Sequence, residues 1–340
     1  LAKVHPLQKN LQTNEASFLT APLQGSHLKK NPSVMSGSKL VGYACYDLQS
    51  NNSSGRRIIN HGDGTFSFVW TIDDNCTASY ANRGSGYNYW NGTGFLIPGG
   101  ATARIEPTGP TNRTGFSQIA LLGNGNEVVM AHKGPPYDFL MSTSPKGAGT
   151  WTTAYAGATD TVGGEQALWC RIASGGSNGN SIHLIANYFT TPVINGMLTP
   201  MIYSRSTDAG ATWGLQNVML PGYDTSRIIS GGAENYAIDA SGTTVAIING
   251  AIDQDLVLWK SADNGTTFTK TFVDSFLFAP TIDSTGGPGD TAVTCDGAMD
   301  VVLDATGKAH VAYSTVRVVV GGYFPTDAGL IYWNDVAKQK

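Results

Sequence analysis

The sequence predicts an all-β fold of repeated antiparallel sheets, and three observations predict it. Charged residues are only 14% of the 340-residue chain, Gly reaches 42, and no stretch of Ala, Leu, Glu and Lys at helical spacing occurs. Tight glycine turns recur between apolar runs. A third apolar or aromatic run follows each such pair.

The turns are Asp63-Gly64-Thr65, Asn124-Gly125-Asn126, Asn178-Gly179-Asn180, Ser241-Gly242-Thr243 and Thr306-Gly307-Lys308. Each needs positive φ, which glycine supplies without steric cost, and each leads into an apolar run such as Phe66-Ser67-Phe68-Val69-Trp70 or Val245-Ala246-Ile247-Ile248. The third runs are Tyr87–Asn91, Phe139–Ser142, Met201–Ser204, Leu256–Lys260 and Leu330–Asn334. The turn glycines lie 61, 54, 63 and 65 residues apart, a period that suits a four-stranded blade with loops. The expected architecture is therefore a β-propeller of four-stranded antiparallel blades, five of them countable and six or more allowed.

Residues 1–39 lack strand or helix periodicity and carry Pro6, Pro22 and Pro32, so they read as an extended N-terminal arm; residues 40–340 read as the propeller. The fifth unit stops after its third run. Either Leu40–Tyr46 supplies the closing strand or later blades are absent, since a bare sheet edge invites aggregation. The formal charge is −4, with no basic run beyond Lys29-Lys30, so nucleic acid is not an expected partner. No apolar stretch is long enough for a membrane span, and the chain begins at Leu1 as a mature exported protein would. A secreted or cell-surface location is expected. Cys45, Cys76, Cys170 and Cys295 lack CxxC spacing; three disulfide pairings, or buried free thiols, all remain open.

Two segments after third runs fit S-x-D-x-G-x-T-(W/F): Ser206, Asp208, Gly210, Thr212 and Trp213, then Ser261, Asp263, Gly265, Thr267 and Phe268, 55 residues on. A degenerate copy, Ser144–Trp151, has Lys146 and Ala148 where Asp and Gly would stand. The carboxylate is expected to accept from turn N–H groups, the glycine to take positive φ, and the ring to point inward. This motif resembles the Asp-box (BNR) repeat of sialidases and related propellers over roughly residues 40 to 340. That resemblance implies a structural role for the boxes on the outer rim. The order Tyr46–Asn51, Arg57-Ile58-Ile59, Arg83–Tyr89 also resembles surface propellers that Bacteroidota export by the type IX pathway, which usually carry a C-terminal sorting domain. It would make Asp160-Thr161-Val162 and Asp290-Thr291-Ala292 O-glycosylation candidates.

Polar residues head the first strand of every unit: Arg57, Gln118, Arg171, Asn235 and Asp300, the candidate binding ring at the channel mouth. The sialidase likeness implies arginines on a substrate carboxylate, a Tyr nucleophile activated by Glu, and an Asp acid. Arg57, Arg171 and Arg227 are candidates for the first role, Tyr236 with Glu234 or Glu165 for the second, Asp73 or Asp74 for the third. Glu234 and Tyr236 are expected on one face of a strand. Gly175–Gly179 spells G-x-S-x-G inside a hairpin, the wrong context for a nucleophile elbow. His183 and His310, at comparable strand positions, read as repeat packing, and no histidine spacing implies zinc. No cofactor is expected, apart from a structural Ca²⁺ near Asp253 and Asp255. The leading expectation is a non-catalytic binding or adhesion propeller, or type IX secretion cargo, partnered by a glycan, a cell-surface protein or the secretion machinery. The alternative is a sialidase-like glycoside hydrolase.

Overall fold

The computed structural model describes residues 37–76, 79–160, 164–189, 194–197, 199–225, 232–252, 254–276, 291–319 and 322–337. Five antiparallel sheets follow one another along the chain, each strand pairing with the next in sequence. They are β1 (Ile58–Asn60), β2 (Phe66–Asp73) and β3 (Arg83–Trp90); β4 (Thr114–Leu121), β5 (Asn126–Lys133), β6 (Asp138–Pro145) and β7 (Thr152–Tyr155); and β8 (Gln166–Gly175), β9 (Ser181–Phe189), β10 (Met201–Ser206) and β11 (Leu215–Val218). The fourth is β12 (Tyr236–Ser241), β13 (Thr244–Asn249), β14 (Leu256–Ser261) and β15 (Thr269–Asp274), and the fifth β16 (Thr291–Leu303), β17 (Ala309–Val319) and β18 (Gly322–Asn334). The fold is all-β and its repeated unit is the propeller blade. Among the described residues the helical content is one 3₁₀ turn, Pro110–Asn112, and no helix is long and apolar enough to cross a membrane.

All five predicted glycine turns join first to second strands. Strands β5, β9 and β13 are covered on both faces, which is why their sequences are continuous apolar runs, whereas outermost β7 and β11 are largely open. The described chain divides into two compact units, one with the first two sheets and one with the last three; the second also takes in Ser50–Gly55. Val69, Tyr87, Ile119 and Val129 form the core of the first unit. Two clusters, centred on Tyr203 with Trp259 and on Tyr313 with Trp333, form that of the second.

One expectation changes. The first sheet has three strands rather than four. After Trp90 the Asn91 Oδ1 gathers the Thr93 and Gly94 N–H groups (both 2.9 Å) and Phe95 folds back edge-on to Trp90 (5.2 Å), so residues 95–105 run beside β3 with isolated bridges only. Within the first unit, Leu40–Tyr46 borders the first sheet. Gly42 forms a parallel bridge with Ala101, and Trp70 Nε1 donates to Tyr43 O (2.8 Å). Of the expected N-terminal arm, residues 1–36 lie outside the described residues, as do Thr161, Val162 and Asp290 of the glycosylation candidates. Cys45 and Cys76 are disulfide-bonded, while Cys170 and Cys295 are free thiols that burial pushes up to about 12.

The two S-x-D-x-G-x-T turns share one geometry. Asp208 Oδ1 accepts from Thr212 N (2.9 Å) and Ser206 Oγ (2.8 Å), and Oδ2 from Thr212 Oγ1 (2.6 Å). Asp263 does the same with Thr267 (2.8 and 2.7 Å) and Ser261 (2.7 Å). The serine closes the loop by accepting from the glycine N–H, 2.8 Å in both. Positive φ falls on two successive residues, Ala209-Gly210 and Asn264-Gly265.

Box turns also lock successive sheets together. Phe268 stands edge-on to Tyr203 (5.1 Å), just as Trp151 of the degenerate copy stands edge-on to Tyr87 (4.8 Å). Arg205 Nη1 donates to Asn264 O (2.5 Å). Tyr203 also meets His183 Nδ1 (2.8 Å), and His310 meets Tyr332 the same way (2.8 Å), the repeat packing expected of those histidines. The first pair is buried, and burial pushes His183 down to about 4; Tyr332 is 54% exposed.

A Cβ at Gly265 would overlap the Tyr203 hydroxyl, whereas one at Gly242 meets nothing. Both have positive φ. In urea unfolding, Gly265→Ala should cost roughly 2 kcal/mol or more and Gly242→Ala only about 1 kcal/mol. The Thr212 hydroxyl and N–H hold the Asp208 carboxyl below its ordinary value, and the Thr267 amide and hydroxyl do so for Asp263. Stability from these carboxylates is present above the unfolded value, about 4, and is lost as pH falls below it. Asp263→Asn should flatten that acid limb in melting curves, and an unchanged limb would contradict the clamp.

Candidate functional site

Two polar clusters lie among the heads of the first strands, one in each unit. The strand heads share a backbone device. Residues Phe116, Trp169, Glu234 and Gly297 all have positive φ, 57°, 54°, 61° and 97°, at or just before a first strand. In β4, β8 and β16 the pairing register shifts there. Such a bulge re-aims the side chains that follow it, and a non-glycine residue in this region is held by its surroundings against its own preference. Two residues past it stand Gln118, Arg171, Tyr236 and Met299. The register of the strand heads is set by the bulge, not by distance to the turn glycine.

In the second unit, Arg171 and Glu234 form an ion pair (Nη1 to Oε1, 2.6 Å) that is 3% and 0% exposed. The polar run Ser50–Gly55 closes over it. Asn51 N donates to the other Glu234 oxygen, Arg171 Nη2 donates to Ser53 O, and Ser53 N donates to Glu234 O (3.2 Å). Ser53 Oγ donates to Gly297 O (3.1 Å), and Asn52 Nδ2 donates to Asn235 Oδ1. Residues 51–53 are thus stitched to the first strands of all three sheets of this unit or to the residues leading into them. Nothing in a polar SNNSSG run distinguishes this role from that of an ordinary loop, so sequence reasoning missed it.

Tyr236 lies in the same region but turns away from Glu234. Its hydroxyl donates to Trp169 O (2.7 Å) and accepts from Asn187 N (3.1 Å). Burial pushes its phenol well above the ordinary tyrosine value, with Arg171 opposing and Glu234 adding to the shift. Because Glu234 sits at positive φ ahead of β12, strand alternation does not place the two side chains together. Asp300 is exposed and takes the Val301 N–H (2.8 Å), Glu165 is half-buried ahead of β8, and Arg227 lies outside the described residues.

In the first unit, Arg57 is half-buried and donates to Gln49 O, Gln118 is buried, and Asp73 Oδ1 caps a turn through Asn75 N (3.1 Å) and Cys76 N (2.9 Å). Asp74 is exposed and accepts from Asn82. The cluster that sequence reasoning missed is basic. Arg83 Nε donates to Thr114 O (2.9 Å), its Nη2 lies 3.3 Å from His132 Nε2, and its guanidinium covers the Tyr46 ring (4.7 Å). His132 stacks on Phe116 (5.1 Å); burial, then Arg83 and Arg113, hold it well below the ordinary histidine value, so it is neutral. Lys133 pairs with Thr114 in the β4–β5 ladder and sets its ammonium 4.9 Å over the Tyr155 ring. Glu106 accepts from Ser85 N and Thr114 Oγ1, both at 2.8 Å.

Among the described residues no group of three or more His, Cys, Asp or Glu stands together as a metal site. Asp253 lies outside them and Asp255 is buried.

No protein-family model matches the sequence, and no curated protein does. Solved structures resemble it at low identity. A GH62 hydrolase in complex with xylotriose is 14% identical at a TM-score of 0.44, covering 87% of this chain and 95% of that one. A mutant of AofleA from Arthrobotrys oligospora is 9% identical at 0.44, covering 83% and 76%. The Trypanosoma rangeli sialidase is 13% identical at 0.43, covering 81% of this chain and 48% of its own. Likeness at this level carries no argument about activity.

Removing one member of the Arg171–Glu234 pair leaves a buried charge. Arg171→Met or Glu234→Gln alone should cost about 3–5 kcal/mol in chemical denaturation. The double variant Arg171→Met/Glu234→Gln should cost less than the sum of the two singles, by roughly 1–3 kcal/mol. Strict additivity would mean that the pair is not coupled.

Proposed function

We propose that this chain is a secreted or cell-surface Asp-box propeller that binds saccharide without cleaving it, exported by the type IX route that its first sheet resembles. One observation carries the non-catalytic reading: the residues a sialidase-like site would need are spent on the fold. Arg171 is sealed beneath Ser53. Tyr236 has both hydrogen-bonding roles of its hydroxyl filled and a raised pKa, the reverse of what an activated nucleophile requires. Asp73 caps a turn beside the disulfide. None of these presents a reactive atom toward solvent.

Two further features support the rest of the reading. The Cys45–Cys76 disulfide is of the kind that persists in oxidising, extracytoplasmic surroundings. Tyr155 and Phe272, on outermost strands, are 61% and 46% exposed, and each carries a lysine over its ring, Lys133 at 4.9 Å and Lys270 at 5.0 Å. They face Leu140 and Val257, each four residues before a box serine, so the two platforms occupy equivalent repeat positions. An exposed ring with a polar rim is the surface on which the C–H face of a sugar stacks.

A glycan array and a fluorogenic sialoside assay on the same preparation test the reading. Retention of at least one glycan class with no fluorophore release is the expected result. Release that disappears in Arg171→Met, without loss of folding, would establish the hydrolase instead.

A further inference from the structure

In the second, third and fourth sheets the third strand is paired on its outer side by β7, β11 or β15, and in the first sheet residues 95–105 run beside β3. The fifth sheet differs. β18 is its last strand, and among the described residues no strand pairs with its outer side. Such an edge offers a row of unpaired N–H and C=O groups to any extended chain that meets it.

The outermost strands of the middle three sheets are blunted as edges usually are. β7 and β11 have four residues each, β15 carries Lys270, and the ladders of β11 and β15 shift register. Leu330–Asn334 has none of these devices. It pairs with His310–Ser314 without a bulge and holds no charge and no proline. Asp335 N donates to Ala309 O (3.2 Å), so alternation along the ladder turns the backbone N–H and C=O of Leu330, Tyr332 and Asn334 away from β17. Their side chains add apolar surface there: Leu330 is 79% and Tyr332 54% exposed.

We infer that the Leu330–Asn334 edge of β18 pairs with the same edge of a second copy of this chain, antiparallel about a two-fold axis at Tyr332. The strands that cover the other third strands, β7, β11 and β15, are antiparallel to them, and a two-fold brings β18 to β18 in that same sense. The existing ladder simply continues. The axis runs through the sheet, so Ile331 and Trp333 of both copies stay on the core face. Charge also favours a second copy. Pairing about Tyr332 sets Leu330 of each copy against Asn334 of the other, both uncharged, and the acid that follows, Asp335, is already paired with Lys260 (2.5 Å). Association of this kind makes the chain bivalent for whatever each copy binds.

Sedimentation velocity and amide exchange on the whole chain test it, with Tyr332→Lys and Leu330→Lys as edge variants and Val336→Lys, 71% exposed beyond the ladder, as control. Wild type and control should be dimeric at about 10 μM, with slow exchange at the Leu330, Tyr332 and Asn334 amides. Each edge variant should weaken dimerisation roughly tenfold or more at an unchanged melting temperature, Tyr332→Lys by setting like charges together on the axis. The same amides should then exchange fast. Should Tyr332→Lys not fold, the more exposed Leu330→Lys decides alone. A monomeric wild type would overturn the proposal, and slow exchange at those amides in that monomer would assign the edge to the chain's own residues. A dimer that keeps its strength in both edge variants would overturn it as well, since its contact would lie on another surface.

Discussion

The second unit depends on one ion pair. Arg171 and Glu234 face each other with almost no solvent, and such a pair persists only where further hydrogen bonds satisfy the remaining donors and acceptors. Residues 51–53 supply them for Arg171 Nη2 and the second Glu234 oxygen. The same three residues reach Asn235 and Gly297, so the pair, the bulged strand heads and the crossing segment form one network. The positive φ of Glu234 is the local strain that this network holds in place.

That network also decides how the strand heads are read chemically. Polar residues at the start of apolar strands look like a ligand ring when only the sequence is in view. In the structure, four of them, Arg57, Arg171, Asn235 and Asp300, are engaged by the chain's own backbone and side chains, and Gln118 is buried. A further polar cluster lies at the start of β3, where Arg83 Nε donates to Thr114 O and its Nη2 lies 3.3 Å from His132 Nε2.

What the sequence displayed was what glycine, aspartate and apolar periodicity control. The five turn glycines mark the hairpins, and the two full box motifs fold into the same clamp with the expected aspartate acceptor, Phe268 of the second packing on Tyr203 as the expected aromatic plug. The serine that accepts from the glycine N–H, and the second positive-φ residue before that glycine, were not visible. The bulges escaped notice because Phe116, Trp169 and Glu234 are not residues that signal positive φ. The three-stranded first sheet turns on one asparagine, Asn91, whose side chain replaces a strand connection by a tight turn. The Arg83–His132 contact was illegible because its members are 49 residues apart and stand on different sheets. Cysteine spacing left the pairing open, and proximity of Cys45 to Cys76 decided it.

The account stands on the sealing of Arg171 and Glu234 by residues 51–53, and amide hydrogen exchange measures that sealing directly. The Asn51 and Ser53 amides donate to a buried carboxylate and a buried backbone oxygen, so they should exchange as slowly as the central amides of β12 and β13. Exchange as fast as that of the exposed Asp63–Thr65 turn would contradict the account, because the segment would then leave the ion pair open to solvent and to substrate.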